Sequence, residues 1–255
     1  MLVAERHMKI EQLVNEKESI RVSELSRIFQ VTEETIRRDL EKLESEGKLQ
    51  RSHGGAVSIK QKTSFEVPYF EREIRNMEEK KAVAEEAVKR IAVNERIILD
   101  ASSTAWYMAK RIPDIPLTVL TNSMKVAMEL STREKITLLS CGGILLSESL
   151  SFVGPIALST LERYRVHKAF ISCTGIEQVR GLSDANEMQS IVKKKMIEIA
   201  DEVYLLADYS KFGVQSFSQI ASINSIDYII TDSKTDSMNI NTYRELGIDI
   251  TCCDD

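Results

Sequence analysis

Residues 31–49 read VTEETIRRDLEKLESEGKL, and the rest of the chain is organised around them. The Thr32 hydroxyl is placed to accept from free N–H groups of a first helical turn, and Glu33 and Glu34 follow where the helix dipole favours negative charge. A helix is therefore predicted to begin near Glu33. Ile36, Leu40 and Leu43 recur at i, i+4 and i+7 as one apolar stripe, while Glu34, Arg38, Glu41 and Ser45 take the opposite side. Gly47 serves as the terminator. One face suits a core and the other, with Arg37 and Arg38, a partner; an ordinary amphipathic surface helix reads the same way.

The flanks separate these readings. Upstream, Ser23 is a candidate cap for a short helix whose Leu25, Ile28 and Phe29 form an i, i+3, i+4 stripe, and only Gln30 to Thr32 separates it from the next helix. That is a helix-turn-helix layout. Downstream, Lys48 to Ser52 alternates polar and apolar residues and Gly54-Gly55 permits a tight turn before Ala56-Val57, which predicts a two-stranded wing. Residues 2–16 read as a first helix with Val3, Ile10, Leu13 and Val14 inward, and Ile20 to Val22 as a short strand. In such a module the second helix enters the major groove, where arginine donates two hydrogen bonds to guanine, and a wing carrying Lys48, Arg51 and His53 reaches phosphates or the adjoining minor groove.

The run from Arg6 to Val57, with TIRRDL, the spacing to GKL, and RSHGGAV in that order, resembles the N-terminal signature of the DeoR family of bacterial transcriptional repressors. Many members have serine where this chain has Thr32, which preserves the cap. The resemblance implies DNA contacts from Thr32, Glu34, Thr35, Arg37 and Arg38 in the recognition helix and from Lys48, Arg51 and His53 in the wing.

At 255 residues the chain suggests two domains, each large enough for its own core. A composition of 43% hydrophobic and 29% charged residues is that of a soluble globular protein. With no apolar run near the roughly 18 residues that span a bilayer and no signal-peptide core, a cytoplasmic protein without membrane contact is expected. Four cysteines without CxxC spacing and three histidines indicate neither a disulfide framework nor a metal site, and no cofactor is expected. Cys252-Cys253 receives no role. The net charge of −5 offers no support for nucleic-acid binding, and residues 1–57 hold ten Lys/Arg against eleven Asp/Glu. Distribution must decide: Arg37, Arg38, Lys48 and Arg51 gathered on one surface would give strongly salt-dependent binding.

Residues 1–57 are thus read as the DNA-binding domain, 58–75, polar and with Pro68, as a linker, and 76–255 as a second domain. There helical and strand patterns alternate. A helix over Glu78 to Val93 precedes a strand Ile97 to Asp100, a helix from about Thr104 to Arg111 and a strand Leu117 to Thr121. Further runs at Ile136 to Ser140, Ala169 to Cys173, Val203 to Ala207 and Tyr228 to Ile230 are short and rich in Ile, Leu and Val, as buried parallel strands are. The expected fold class is α/β. Ligands gather beyond the carboxyl ends of such strands, and the residues there are small and polar. Asp100-Ala101-Ser102-Ser103-Thr104 leads into a helix and suits a phosphate, although a plain helix cap reads the same. Thr121-Asn122, Cys141-Gly142-Gly143, Thr174-Gly175 and Asp208 with Lys211 end the other runs.

Asn76 to about Cys252, through DASST, LTVLTNS, LLSCGG, FVGP, KAFISCTGI, VKKKMI, LLADYSKFG and IDYIITD, resembles the DeoR-family sensor domain, whose fold is similar to ribose-5-phosphate isomerases and CoA transferases. The resemblance implies a phosphorylated sugar or related metabolite as effector. Ser102, Ser103 and Thr104 would take the phosphate, Asp100, Asn122, Gly142, Gly143, Gly175, Asp208 and Lys211 would line the rest, and Lys193 would supply a further cation. Many members carry an acidic residue and alanine where Gln189 and Ser190 stand here. Trp106 reads as a core or cleft-wall aromatic, and Lys193-Lys194-Lys195 otherwise as a solvated helix face.

Two functions fit these residues. One is a regulator, most simply a repressor of a carbohydrate-metabolism operon, that pairs as a homodimer or homotetramer on double-stranded operator DNA and is relieved by the phosphorylated effector; activation is also open. The other is a sugar-phosphate isomerase fused to a DNA-binding domain, with Asp100, Asp208 and Lys211 as acid or base. The intact helix-turn-helix favours the first.

Overall fold

The computed structural model describes residues 3–17, 19–46, 48–52, 54–57 and 66–253. The chain divides into two compact units, Met1–Thr63 and Ser64–Asp255. The first contains α1 (Val3–Lys17), β1 (Ser19–Arg21), α2 (Val22–Phe29), α3 (Glu33–Ser45), β2 (Gln50–Ser52) and β3 (Gly55–Val57). The central strand β3 pairs antiparallel with both β1 and β2, so the wing is a hairpin widened to a three-stranded sheet. Gln30, at φ 53° in the left-handed region, ends α2 and turns the chain into α3. Thr32 caps α3 by accepting from the Thr35 N–H, and the stripe of Ile36, Leu40 and Leu43 is buried against Ile10, Val14, Leu25, Leu49 and Ala56.

Some local expectations fail here. Ser23 is not a cap, because α2 begins one residue earlier at Val22, after Arg21, with no side-chain cap. Val22 then joins Leu25 and Phe29 to centre the stripe, and Ile28, about 90° round the helix from that centre, is 46% exposed. Val3 is exposed rather than in the core. Gly47 and His53 lie outside the described residues.

The second unit runs α4 (Tyr69–Ile74), α5 (Met77–Val88), β4 (Arg96–Leu99), α6 (Ser103–Arg111), β5 (Leu117–Thr121), α7 (Met124–Leu130), β6 (Ile136–Ser140), β7 (Ile144–Leu146), β8 (Ser151–Val153), α8 (Pro155–Leu161) and β9 (Val166–Ile171). It continues with β10 (Gly175–Glu177), β11 (Gly181–Asp184), α9 (Glu187–Glu198), β12 (Ala200–Leu206), β13 (Ser218–Ala221), β14 (Tyr228–Asp232), α10 (Ser237–Glu245) and β15 (Asp249–Cys253). Seven strands form one parallel sheet in the order β15-β14-β12-β9-β4-β5-β6. Because strand side chains alternate in direction, Ile98, Ala169, Ile171 and Leu205 face one apolar layer and Ile97, Leu99, Phe170 and Leu206 the other. Among the described residues no helix is long and apolar enough to cross a membrane.

Three parts of this unit were not anticipated. The hairpin β7-β8, the antiparallel sheet β10-β11-β13 and the edge strand β15 carry weak or interrupted apolar runs. The boundary also moves, because residues 66–75, expected as linker, pack on the second unit. Tyr69 is 1% exposed and its N–H donates to the Glu148 carbonyl at 2.7 Å. The Tyr107 hydroxyl donates to the Glu73 carbonyl, and the buried Lys80 ammonium donates to the carbonyls of Arg72 and Arg75 at 2.5 and 2.6 Å. Composition alone misreads this segment, since its polar residues find partners on the domain instead of in water.

The strand order defines where a ligand can sit. From β4 the chain proceeds to β5 and β6 on one side, then returns to β9 on the other side of β4 and continues to β12, β14 and β15. The connections therefore diverge beyond the carboxyl ends of β4 and β9, which is the topological switch point of an open α/β sheet.

Candidate functional site

In the first unit, α3 presents its polar side as a surface of exposed, mutually paired charges. The Arg37 guanidinium lies 2.8 Å from Glu33 and 3.6 Å from Glu34, and Arg38, 78% exposed, lies 3.7 Å from Glu34. Lys48 pairs with Glu46 at 2.8 Å, which holds the Lys48 ammonium above its usual range, and Arg51 approaches Glu41 at 3.9 Å. Thr32 and Thr35 join hydroxyls at 2.9 Å on the first turn. Such surface pairs contribute about 0–1 kcal/mol each, so phosphate oxygens can replace the carboxylates at little cost. The inner side is held differently. Asp39, 5% exposed, accepts from Arg6 at 2.6 and 3.0 Å and sits 2.9 Å from His7, tying α1 to α3. Burial pushes the Asp39 carboxyl up, and the hydrogen bonds and charges of Arg6 and His7 bring it, net, below the usual range.

At the switch point of the second unit, Asp100 follows β4 and is fully buried. Its two oxygens accept from the N–H groups of Ser102 and Ser172, at 3.1 and 3.0 Å, so it joins the ends of β4 and β9. The Ser102 hydroxyl caps α6 by accepting from the Ala105 N–H, and the Trp106 N–H reaches the Ser102 carbonyl. Of the four first-turn N–H groups that a helix leaves outside its ladder, those of Ser102 and Ala105 are thus taken up and those of Ser103 and Thr104 are left at the start of α6. The Ser103 hydroxyl donates to the Arg72 carbonyl at 3.2 Å, bringing α4 onto this loop.

Other residues gather round it in distinct roles. Lys193 is not a solvent-facing cation: its ammonium lies 2.7 Å from Asp184 and 3.3 Å from Asp100 and donates to the Ser172 carbonyl at 2.8 Å. Burial opposes its charge, but the two carboxylates raise its affinity for the proton well above the ordinary lysine value. Lys194 is exposed and Lys195 half-buried, so the lysine run is split between core and surface. Asp208 is buried after β12; one oxygen accepts from Asn76 and Ser210 and the other has no partner among the described residues. Lys211 is half-buried and its charge bears on both Cys173 and Lys80. Asn122 is fully buried after β5, donating to the Phe152 carbonyl, and its amide oxygen has no partner among the described residues.

The glycines serve the backbone. A Cβ on Gly175 would lie 2.2 Å from the Val214 carbonyl oxygen and one on Gly143 would lie 2.5 Å from that of Val153, so each permits a close chain approach. Gly142 is half-buried beside Gly143 in the loop after β6. Trp106 is half-buried, with the ammonium groups of Lys110 and Lys125 at 4.5 and 4.6 Å from its ring centre. Sequence reasoning missed Glu66, Arg72, Asn76, Lys80 and Asp184. Lys80 had a signal, since it falls on the α5 stripe of Val83, Ala84 and Ala87; the others lie in segments without apolar periodicity.

A winged helix-turn-helix joined to a parallel α/β unit with a polar switch-point rim defines a DNA-binding transcriptional regulator with a sensor domain. The chain belongs to the DeoR family: residues 6–62 match the DeoR-like helix-turn-helix domain and residues 75–233 the DeoR C-terminal sensor domain. It is 58% identical to the transcriptional regulator YulB of Bacillus subtilis over 98% of this chain and 97% of that one. It is 37% identical to the transcriptional repressor GlcR of the same organism, over 91% and 89% of the two chains. The L-fucose operon activator of Escherichia coli is 35% identical over 91% and 96%. Among solved structures, a ribose 5-phosphate isomerase from Methanocaldococcus jannaschii aligns over 54% of this chain and 55% of its own at 22% identity, with a TM-score of 0.41.

Proposed function

We propose that this regulator represses a carbohydrate-metabolism operon and is released from its operator by a phosphorylated sugar or related metabolite bound where β4 and β9 diverge. The observation that carries the reading is the switch-point loop itself. Ser103 and Thr104 offer first-turn N–H groups at the positive end of α6, and backbone N–H groups with a helix dipole suit a phosphate. The relative named for the L-fucose operon supports the class of genes although it is an activator, and the two relatives named as repressors support the sign of control.

The protein acts as a sensor and not as an isomerase. Asp100, a candidate base by its position, is sealed from solvent and its oxygens are engaged by two backbone N–H groups and Lys193, which supports a structural part for it. Assembly as a homodimer or homotetramer supplies the paired half-sites that one small winged module lacks. The exposed apolar side chains of Phe70, Ile74, Ile144, Leu145 and Ile156 give the second unit a surface for it.

Thermal melting of the full chain with a panel of sugar phosphates tests the reading, since a ligand at about 100 times its Kd stabilises the native state by roughly 2.7 kcal/mol. The stabilising compound should weaken binding to DNA selected by the protein about 5- to 150-fold. Turnover of that compound, or DNA affinity unchanged by it, would overturn the proposal.

A further inference from the structure

Beside the switch-point loop lies a group of buried polar atoms without partners among the described residues. Segment 66–75, besides touching the Ser103 loop, brings Glu66 to α9: the Gln189 amide nitrogen donates to a Glu66 oxygen at 3.3 Å and to the Ser151 hydroxyl at 2.7 Å. Ser151 and Phe152 lie beside Asn122, whose carbonyl accepts from the Phe152 N–H and whose amide donates to the Phe152 carbonyl. Glu66, Gln189 and Asn122 are therefore joined through the start of β8. The Arg72 guanidinium, 3.5 Å from Glu66, links this group back to the Ser103 loop.

Within this cluster three buried oxygens have no hydrogen-bond partner among the described residues: Glu66 Oε2, Gln189 Oε1 and Asn122 Oδ1. Gln189 is 2% and Asn122 0% exposed. Leaving a buried acceptor unpaired costs about 1–3 kcal/mol, and three on one hydrogen-bonded chain mark a place that donors fit. Arg72 Nε, a buried donor on the same chain, also has no partner among the described residues, and a hydroxyl both donates and accepts. A phosphate, itself an acceptor at neutral pH, is wrong for the three oxygens, and an ammonium compound would be repelled by Arg72; several adjacent hydroxyl groups fit.

We infer that Glu66, Gln189 and Asn122 are the specificity-determining end of the effector pocket, reading the hydroxyl groups of a polyhydroxylated ligand whose phosphate lies at Ser103 and Thr104. The inference rests on the proposed site at the switch point and adds its orientation: phosphate toward α6, carbon chain toward β8 and α9, under the strap of residues 66–75. Burial already pushes the Glu66 carboxyl up, so a hydroxyl donating to it would favour its charged form. The residue at 189 matters accordingly. A glutamine there offers one donor to Glu66 and keeps one acceptor for the ligand, whereas an acidic residue would set two carboxylates against each other.

Calorimetry on the full chain tests this with inorganic phosphate, a panel comprising fructose 1-phosphate, fructose 6-phosphate, ribose 5-phosphate and glycerol 3-phosphate, and the unphosphorylated counterparts. Wild type should bind at least one polyol phosphate more tightly than inorganic phosphate. Glu66→Gln should weaken that compound about 10-fold or more and Gln189→Met about 5-fold, with inorganic phosphate affinity unchanged in both, which also shows that the variants remain folded. Equal loss of inorganic phosphate, or wild-type affinity for the polyol phosphate in both variants, overturns the inference. If wild type binds an unphosphorylated polyol as tightly as its phosphate, and Glu66→Gln abolishes that, the phosphate reading fails while this one stands. Binding of none of the panel overturns both.

Discussion

The polar side of α3 and the rim beyond β4 and β9 both gather basic and acidic side chains, yet they are opposite devices. On α3 the pairs are exposed and separated by one helical turn, as in Arg37 with Glu33 and Arg38 with Glu34. Around Lys193 the pairs are buried and join distant parts of the chain, with Asp100 at the end of β4 and Asp184 at the end of β11. Exposed pairs are cheap to exchange, which suits a surface that trades carboxylates for DNA phosphates. Buried pairs are costly to break, because removal of one partner strands the other without water. The first arrangement suits exchange with a partner, and the second holds a frame beside which the N–H groups and unpaired oxygens of the proposed site lie.

The largest test of that contrast is Lys193→Met. It leaves Asp100 and Asp184 uncompensated and should destabilise the second unit by about 3–5 kcal/mol, measured by urea unfolding. Burial pushes the Asp184 carboxyl up, and the Lys193 charge and hydrogen bond bring it, net, below the usual range. Its contribution is thus present above the ordinary carboxylate range and lost as pH falls through the lower folded value. A cost no larger than a surface substitution would make Lys193 a ligand-facing cation after all.

Lys80 gives a second, smaller test with a pH signature. Burial lowers the affinity of its ammonium for the proton more than Asp208 restores it, with Lys211, Arg72 and Arg75 adding to the fall, to a pKa of about 8. Between that value and the ordinary 10.5 the unfolded chain binds more protons than the folded one, so stability rises with pH. Wild type should gain on the order of 2 kcal/mol over this window relative to Lys80→Met. Parallel urea curves at both ends of the window decide it, and no difference between the proteins would count against a buried, strained ammonium beneath the strap.

On the exposed side the scale shrinks again and moves from stability to DNA. Arg38→Ala should weaken binding to selected operator DNA by about 1–3 kcal/mol, while shifting the unfolding midpoint by no more than a surface change does. Anisotropy at fixed salt is the measurement. Unchanged affinity would mean that α3 does not read bases through this residue.

The same contrast explains what was legible in the sequence. The stripe Ile36, Leu40, Leu43 follows from helical periodicity, because burial repeats every turn, and the strands Leu117–Thr121 and Ile136–Ser140 follow from short apolar runs rich in Ile, Leu and Val. The loop Asp100–Thr104 could be located because a strand must end where the small polar residues begin. What sequence could not supply is which polar residue is inside. Lys193 and Lys194 are neighbours in the chain, but only Lys193 points to Asp100 and Asp184. Glu66 and Gln189 stand 123 positions apart and meet only in the folded unit. The polar run after the wing looks like linker for the same reason: nothing local distinguishes a side chain that meets water from one that, like Glu66, meets Gln189.

The smallest expected effect is the sharpest test of cheap exchange. Glu44 accepts from the Arg51 backbone N–H at 2.8 Å, and Glu41, its side chain 71% exposed on the polar side of α3, is the acid that approaches the Arg51 guanidinium, at 3.9 Å. Glu41→Gln removes one negative charge from the surface proposed to face DNA and leaves Arg51 without that competitor. Folding stability should change by less than about 0.5 kcal/mol, since an exposed pair at this distance contributes little. DNA affinity should rise a few-fold at low salt, and the gain should shrink as salt is added, because a charge interaction exposed to solvent is screened over about 10 Å at 0.1 M. Arg51→Ala is the complement: it should lower the magnitude of the slope of log affinity against log salt by about one. In the Arg51→Ala background Glu41→Gln should then lose the part of its benefit that runs through Arg51 and keep only the part due to net charge. Equal gains in the two backgrounds would show that the pair does not restrain Arg51, and that the acids of α3 act on DNA merely as a diffuse repulsion.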